Sequence, residues 1–386
     1  MHILSIGTDR KLFEVDSAIR QRMASYASRA QSLHVIVYAT KNLPLYEIHD
    51  GKLHIYPTRS NSRWLYVYDA YKIAKKIITS LGEEKTEVVI SSQDPFETGL
   101  VGLLVAREYN RPLQVQLHTD IYSSQFGQSF LNRIRRVIAS YILPRAQGIR
   151  AVSRTVADSL IQHFGKDIAQ VDILPVFIDK HYFEDAKSNI SVHDILPGCD
   201  SMVCMVSRLS PEKNIDVAIR AFAKVILHVP RIGLCIVGSG VEEGRLRMLV
   251  NALGIETNVA LVGWHNDPVA YYKASDVFLT TSSYEGYGVT LIEAALSGSA
   301  IVTTPVGIAR EICIDGENSY ICPIGDVDSV ASRIETLISD QKIRELFKTK
   351  MRATITGMVL DRDQYVQVYI GLLEKLLHIH GYNNKT

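Results

Sequence analysis

Short apolar runs alternate along this chain with longer stretches whose apolar residues recur at helical spacing. Residues 2–6, 33–37, 88–91, 113–117 and 148–152 read as strands, and another ends near Pro175. Amphipathic stretches at 17–30, 68–81, 99–109 and 130–143 lie between them. Strand, helix, strand in repetition means βαβ units and a parallel sheet with helices on both faces. Residues 180–200 turn polar and irregular around Pro197-Gly198, which places a linker there. The pattern then restarts: strands at 202–206, 232–237, 259–262, 277–279 and 300–303, helices at 214–229, 243–253 and 288–298. The fold class expected is α/β, two tandem doubly wound Rossmann-like domains. Their spans are 1–185 and 200–360, and a C-terminal helix at 361–386 is expected to pack back on the first. Ligands in such sheets bind beyond the carboxyl ends of the strands, and the cleft between two facing domains is the default site.

Composition narrows this. Of 386 residues, 47 % are hydrophobic and 22 % charged, which excludes a disordered or collagen-like chain. A net charge of +1 gives no bulk reason to expect nucleic acid. Residues 1–190 carry +5 and residues 191–386 carry −4, a hint of an anionic or membrane surface near the first half. The five cysteines form no CxxC pair; Cys204, Cys235 and Cys322 sit in apolar runs and read as core, so a reducing compartment fits. No signal peptide or membrane span is read, and a cytoplasmic location is expected.

Two loops carry the candidate chemistry. The first, Ser283-Tyr284-Glu285-Gly286-Tyr287-Gly288-Val289-Thr290-Leu291-Ile292-Glu293, runs from a strand end through a Gly-x-Gly turn into a helix. Glycines let backbone approach a ligand, and free first-turn amides favour an anion such as phosphate. Glu285 and Glu293 bracket that helix start, and a carboxylate accepts two hydroxyl hydrogen bonds at once. The second, Ser207-Arg208-Leu209-Ser210-Pro211-Glu212-Lys213-Asn214, also joins strand to helix and offers two cations to a diphosphate; Asn214 is expected to cap the helix.

With these two motifs the chain resembles the retaining GT-B glycosyltransferases of family 4, which carry R-L-x-x-x-K and E-x7-E patterns in the second domain. Val237-Gly238-Ser239-Gly240, Leu261-Val262-Gly263-Trp264, Ala274-Ser275-Asp276-Val277, Thr304-Pro305-Val306-Gly307 and Asp315-Gly316-Glu317-Asn318 follow in family order. The resemblance implies that Arg208 and Lys213 bind a nucleoside diphosphate, Glu293 the ribose and Glu285 the donor sugar. It implies that the amides of Gly288, Val289 and Thr290 hold the distal phosphate and that Val262 and Trp264 lie near the base. Gly238, Gly286 and Tyr287 complete the donor-binding set. In the first domain it implies that His118, in Leu117-His118-Thr119-Asp120, acts near the donor sugar, so the catalytic set is His118, Glu285, Arg208 and Lys213. Gly7, Asp94, Glu97 and Asp120 are first-domain candidates for acceptor contact. Asp94 serves equally as a helix cap, and Gly7-Thr8-Asp9-Arg10 departs from the usual double-glycine loop.

The expected activity is retaining transfer of a sugar from a nucleoside diphosphate sugar to an acceptor hydroxyl, without a metal or other cofactor. The product would be a glycan, glycolipid or cell-envelope polysaccharide. The alternatives are a non-catalytic nucleotide-sugar-binding protein and a sucrose- or trehalose-synthase-type enzyme. A nicotinamide oxidoreductase is excluded, because Gly7 stands alone where G-x-G-x-x-G would be needed. The partners expected are the donor and a sugar or lipid-linked acceptor. Arg133, Arg135, Arg136, Arg145, Arg150 and Arg154 interleave with apolar residues across 133–154. This basic stretch reads first as a helix with one buried and one solvated face. The other reading is peripheral contact with anionic lipid at the inner face of the membrane.

Overall fold

Apolar runs buried at every position, such as His2–Gly7 and Ser32–Val37, are strands covered on both faces, as a parallel sheet requires. In the computed structural model, which describes residues 1–383, the chain divides into two units. Unit 1 is Met1–Pro175 with the closing helix Arg362–Asn383; unit 2 is Val176–Asp361.

Unit 1 has strands β1 (His2–Gly7), β2 (Ser32–Val37), β3 (Ile48–Asp50), β4 (Leu53–Pro57), β5 (Val88–Ser92), β6 (Leu113–Leu117), β7 (Gly148–Ala151) and β8 (Val171–Ile173). Their order is β3-β4-β2-β1-β5-β6-β7-β8, parallel except for β3. Helices α1 (Ala18–Ser28), α2 (Tyr66–Ser80), α3 (Glu97–Tyr109), α4 (Phe130–Ile142) and α5 (Arg154–Phe164) connect them. The hairpin β3–β4 was not read from the sequence, although Asp50-Gly51 is its turn signal, with Gly51 at φ 57°. The closing helix lays Tyr365, Tyr369, Leu373 and Leu376 on this sheet, and Tyr26 of α1 stacks on Tyr369 at 4.4 Å.

Unit 2 has β9 (Ser201–Val206), β10 (Ile232–Val237), β11 (Val259–Gly263), β12 (Val277–Leu279), β13 (Ala300–Thr303) and β14 (Tyr320–Ile321), in the order β11-β10-β9-β12-β13-β14. Its core runs from Val203 and Phe222 through Ile236 to Ile334 and Phe347. Cys204 and Cys235 are neighbours in register on β9 and β10, and all five cysteines are free and buried, Cys199 and Cys313 included.

The domain boundary differs from the expectation. Residues 176–200 are part of unit 2 rather than a linker. The helix Lys180–Asp185 lies within its polar fabric: Lys273 Nζ donates to Glu184 O at 2.9 Å, and Tyr182 OH donates to Asp267. Val192 and Ile195 pack against Met202, Cys204, Cys235 and Val237. The polarity that suggests a linker belongs to a solvated outer layer with a few buried anchors.

Candidate functional site

In unit 2 the strand order reverses between β9 and β12, so the loops after these two strands flank the topological switch point. They are the two motif loops. The structure ties them together residue by residue. Ser283 N donates to Glu212 O at 2.8 Å, and Thr281 Oγ1 donates to Lys213 O and Asn214 O at 3.0 and 2.9 Å. Lys213 Nζ reaches both oxygens of Glu285 at 2.7 Å, and Ser282 Oγ donates to Glu285 Oε1 at 2.7 Å. Both side chains of this ion pair are largely buried. Arg208 stands in solvent, 3.3 Å from Glu212. Asn214 does not cap with its side chain as expected. It takes the left-handed conformation (φ 47°) that closes the turn Pro211–Lys213, its amide donating to Pro211 O.

The helix Val289–Leu296 starts at Gly288, whose φ of 93° only glycine adopts without strain. Gly288 has no side chain to cap the helix, so no N-cap side-chain oxygen meets the first-turn amides of Val289 and Thr290. Gly286 precedes this start, and Tyr287 is buried beneath it. Glu293, one turn on, accepts from Tyr272 OH at 2.9 Å on Oε2. Burial raises its pKa, the Tyr272 hydroxyl opposes that shift, and Asp267 adds to it. Its Oε1 takes no hydrogen bond among the described residues and can accept a hydroxyl. Trp264 is exposed beyond β11, with Nε1 on Asn266, and Val262 packs into the sheet. Gly238 turns out to be dictated by packing: at φ 143° its backbone passes so close to Ser207 O that a Cβ would lie 1.9 Å from it.

Unit 1 is different. The switch point lies between β1 and β5, and Gln93 closes it: its side chain covers Gly7 and accepts from Thr8 N at 3.1 Å. Asp94 is neither a free ligand nor the helix cap. Phe96 holds the N-cap position of α3, and Asp94 Oδ1 accepts from Phe96 N at 2.8 Å. Glu97 is committed to Arg135, with Nε within 3.1 and 3.2 Å of its two oxygens. Asp120 Oδ1 accepts from Tyr122 N and Ser159 Oγ at 2.9 and 2.7 Å. These carboxylates organise loops. His118 follows β6 with its side chain open to solvent. Desolvation by surrounding protein, with Arg150 and Arg22 adding to it, pushes its pKa down to about 3. The direction of that shift favours a neutral imidazole at pH 7.

The basic stretch also resolves into separate roles. Arg150 is buried and bonds Gln116, Leu174 O, Pro175 O and Tyr365 OH. Arg135 pairs with Glu97, and Arg136 holds Ile121 O and Ser123 O. Arg133, Arg145 and Arg154 are exposed. Ser282 and Tyr272 escaped the sequence reading, and Arg150 was read only as one cation of the basic stretch: a serine in a Ser/Thr loop, a tyrosine in a short helix and one arginine among six carry no local mark of these roles. Among the described residues no group of three or more His, Cys, Asp or Glu side chains is placed to hold a metal ion, and no helix is long and apolar enough to cross a membrane.

Two Rossmann-like units, with an ion-paired switch-point cradle in the second, define a GT-B architecture. A family model described as "Glycosyl transferases group 1" matches residues 191–354, and one described as "Glycosyltransferase Family 4" matches residues 21–182. The chain belongs to this glycosyltransferase family. It is 27 % identical over 226 residues to N-acetylgalactosamine-N,N'-diacetylbacillosaminyl-diphospho-undecaprenol 4-alpha-N-acetylgalactosaminyltransferase of Campylobacter jejuni. That match covers 58 % of this chain and 60 % of the relative, so the chain spans about three-fifths of that protein's length. It is 22 % identical over 341 residues to the capsular polysaccharide biosynthesis glycosyltransferase CapM of Staphylococcus aureus, covering 85 % of this chain and 86 % of CapM. HepE of Anabaena, solved in complex with UDP, shares the fold with a TM-score of 0.76 at 21 % identity, over 97 % of this chain and all of HepE.

Proposed function

We propose that this protein is a retaining glycosyltransferase. It moves a sugar from a nucleoside diphosphate sugar to an acceptor hydroxyl in the synthesis of a cell-envelope glycan or glycolipid, at the cytoplasmic face. The observation that carries the reading is the cradle after β9 and β12: Lys213 held on Glu285 beside a helix start with no side-chain cap. A diphosphate entering there meets first-turn amides, the Arg208 fork and Lys213, which exchanges its carboxylate partner for phosphate oxygens. Glu285, released from Lys213, is then free to accept donor-sugar hydroxyls, and Glu293 Oε1 accepts the ribose. The leaving group is a diphosphate, so catalysis consists mainly of stabilising its developing charge by these fixed donors. No metal is assigned a part. His118, a neutral imidazole, orients the sugar as donor or acceptor of a hydroxyl hydrogen bond. The UDP complex of HepE supports UDP as the nucleotide to test first, and the diphospho-undecaprenol in the Campylobacter relative's name supports a lipid-linked acceptor.

Calorimetric titration with UDP, GDP and ADP tests the reading. Lys213→Ala and Arg208→Ala should each weaken the preferred diphosphate by about 1.5–3 kcal/mol, the range for a charged hydrogen bond. Glu293→Ala should weaken it too. Glu285→Ala should keep or tighten diphosphate affinity, because Lys213 loses its competing carboxylate, while turnover falls. Unchanged affinity in both cation variants would overturn the assignment.

A further inference from the structure

The helix α4 presents its apolar stripe outward. Phe130, Ile134, Val137 and Tyr141, spaced as one helical face, are 77 %, 43 %, 70 % and 46 % exposed, while Ala139 and Ile142 on the opposite face are fully buried. An amphipathic helix on a globular unit ordinarily does the reverse. The stripe continues sideways. Leu104 of α3 is 43 % exposed, and Arg107 of α3 donates to Tyr141 OH at 3.2 Å. Further on, α2 packs on α3 and carries exposed Tyr68, with Trp64 just before it at 95 % exposure.

Charge says what this face meets. Residues 130–145 contain four arginines and no acid. Arg133 and Arg145 are exposed at the two ends of the stripe, Arg145 with its guanidinium 4.0 Å from the Tyr141 ring centroid. Lys72 sits 4.3 Å over the Tyr68 ring. Of the neighbouring acids, Glu97 is paired with Arg135 and Glu108 with Lys75, and Asp69 of α2 lies close enough to Lys72 for its charge to act on it. A second copy of this chain would bring α4 arginines against α4 arginines. Apolar side chains flanked by cations, with Trp and Tyr at the border, suit the interface of a bilayer that carries anionic headgroups.

We propose that α4, with the adjoining parts of α3 and α2, is a docking face for an anionic lipid bilayer, the stripe dipping among the acyl chains while the arginines meet phosphates. This deepens, and in its purpose rests on, the reading of a lipid-linked acceptor: the face would hold the enzyme where such an acceptor resides.

The test is flotation with vesicles of phosphatidylcholine alone or mixed with phosphatidylglycerol. The intact protein should float with the mixed vesicles and at least about tenfold less with phosphatidylcholine alone, since the cations contribute through anionic headgroups. Ile134→Glu/Val137→Glu should reduce flotation with mixed vesicles by more than about tenfold, because two apolar contacts are lost and like charge is added. Its melting temperature and nucleoside diphosphate affinity should remain those of the parent. Phe130→Ser, at the solvated start of α4, is the alternative should the double variant fold poorly, and should give a smaller loss in the same direction. Undiminished flotation of a folded variant would overturn the proposal, as would absence of flotation in the parent. A parent dimer that the substitutions convert to monomer would overturn it in favour of a self-interface. Diphosphate affinity is read separately, so failure of the docking face and failure of the transferase reading are distinguishable.

Discussion

The two units share a doubly wound topology but place their charge oppositely. Unit 2 sets Arg208 and Lys213 on loops beyond the strand ends, each paired with a carboxylate of the same loop cluster. Unit 1 buries Arg150 within the sheet and gives it neutral partners: Gln116 Oε1 at 2.7 Å, Tyr365 OH at 2.6 Å and the carbonyls of Leu174 and Pro175. Pro175 is where the chain leaves unit 1, and Tyr365 lies just past its return. That arginine therefore fastens the two crossing points and the closing helix, while its positive charge still bears on His118. A shared doubly wound core, then, does not make two equal sites. What differs is whether the switch-point loops leave donors unmatched: in unit 2 the start of Val289–Leu296 does, whereas in unit 1 Gln93 and Asp94 fill the place from within.

The comparison can be broken most decisively at Arg150. Arg150→Met should destabilise unit 1 by about 3 kcal/mol or more, because it leaves buried acceptors without a donor. Hydrogen exchange should show protection lost in β6, β7 and the closing helix, with nucleoside diphosphate affinity retained by unit 2. Equal loss of protection in both units would show that the arginine is not specific to unit 1.

His118→Ala probes the one unit 1 side chain assigned to chemistry. Turnover on the true acceptor should fall more than tenfold, about 1.4 kcal/mol of transition-state stabilisation, with diphosphate affinity unchanged. Near-normal transfer would make His118 a strand-end residue only.

The smallest effect expected is in acid. Burial, with His54, His2 and His49 adding to it, pushes the His34 pKa down to about 4 from 6.5. The unfolded chain therefore binds that proton first, and stability is lost as pH falls from about 6.5 toward 4. Glu293 runs the other way: its raised pKa means the folded protein binds the proton first, so acidification favours unit 2. Thermal melting at neutral and mildly acidic pH should lower the unit 1 transition and spare unit 2. A His34→Gln variant should flatten the response. An unchanged slope in that variant would place the acid sensitivity elsewhere.

Much of this molecule is legible locally. Strand and helix periods give both sheets, and Gly-x-Gly before an apolar helix gives the turn that starts the helix without a side-chain cap, because backbone conformation and spacing are properties of neighbouring residues. The short strands β3, β4 and β14 were missed, since a two-residue pairing or a hairpin with polar histidines has too few apolar positions to register. The carboxylates of unit 1 looked as free as those of unit 2; only their partners distinguish them.

The sequence by itself determined the two α/β units, the loops that follow β9 and β12, and the amphipathic pattern of α4. Tertiary structure decided that Lys213 rests on Glu285, 72 positions away, that Tyr272 holds Glu293, and that Arg150 is core rather than surface. It also decided that α4 turns its apolar stripe to solvent. Periodicity fixes which residues share a helix face, because that follows from the rotation per residue. Which way the face points depends on contacts made by distant segments, here α3 and the loop before α4, and no local pattern encodes those.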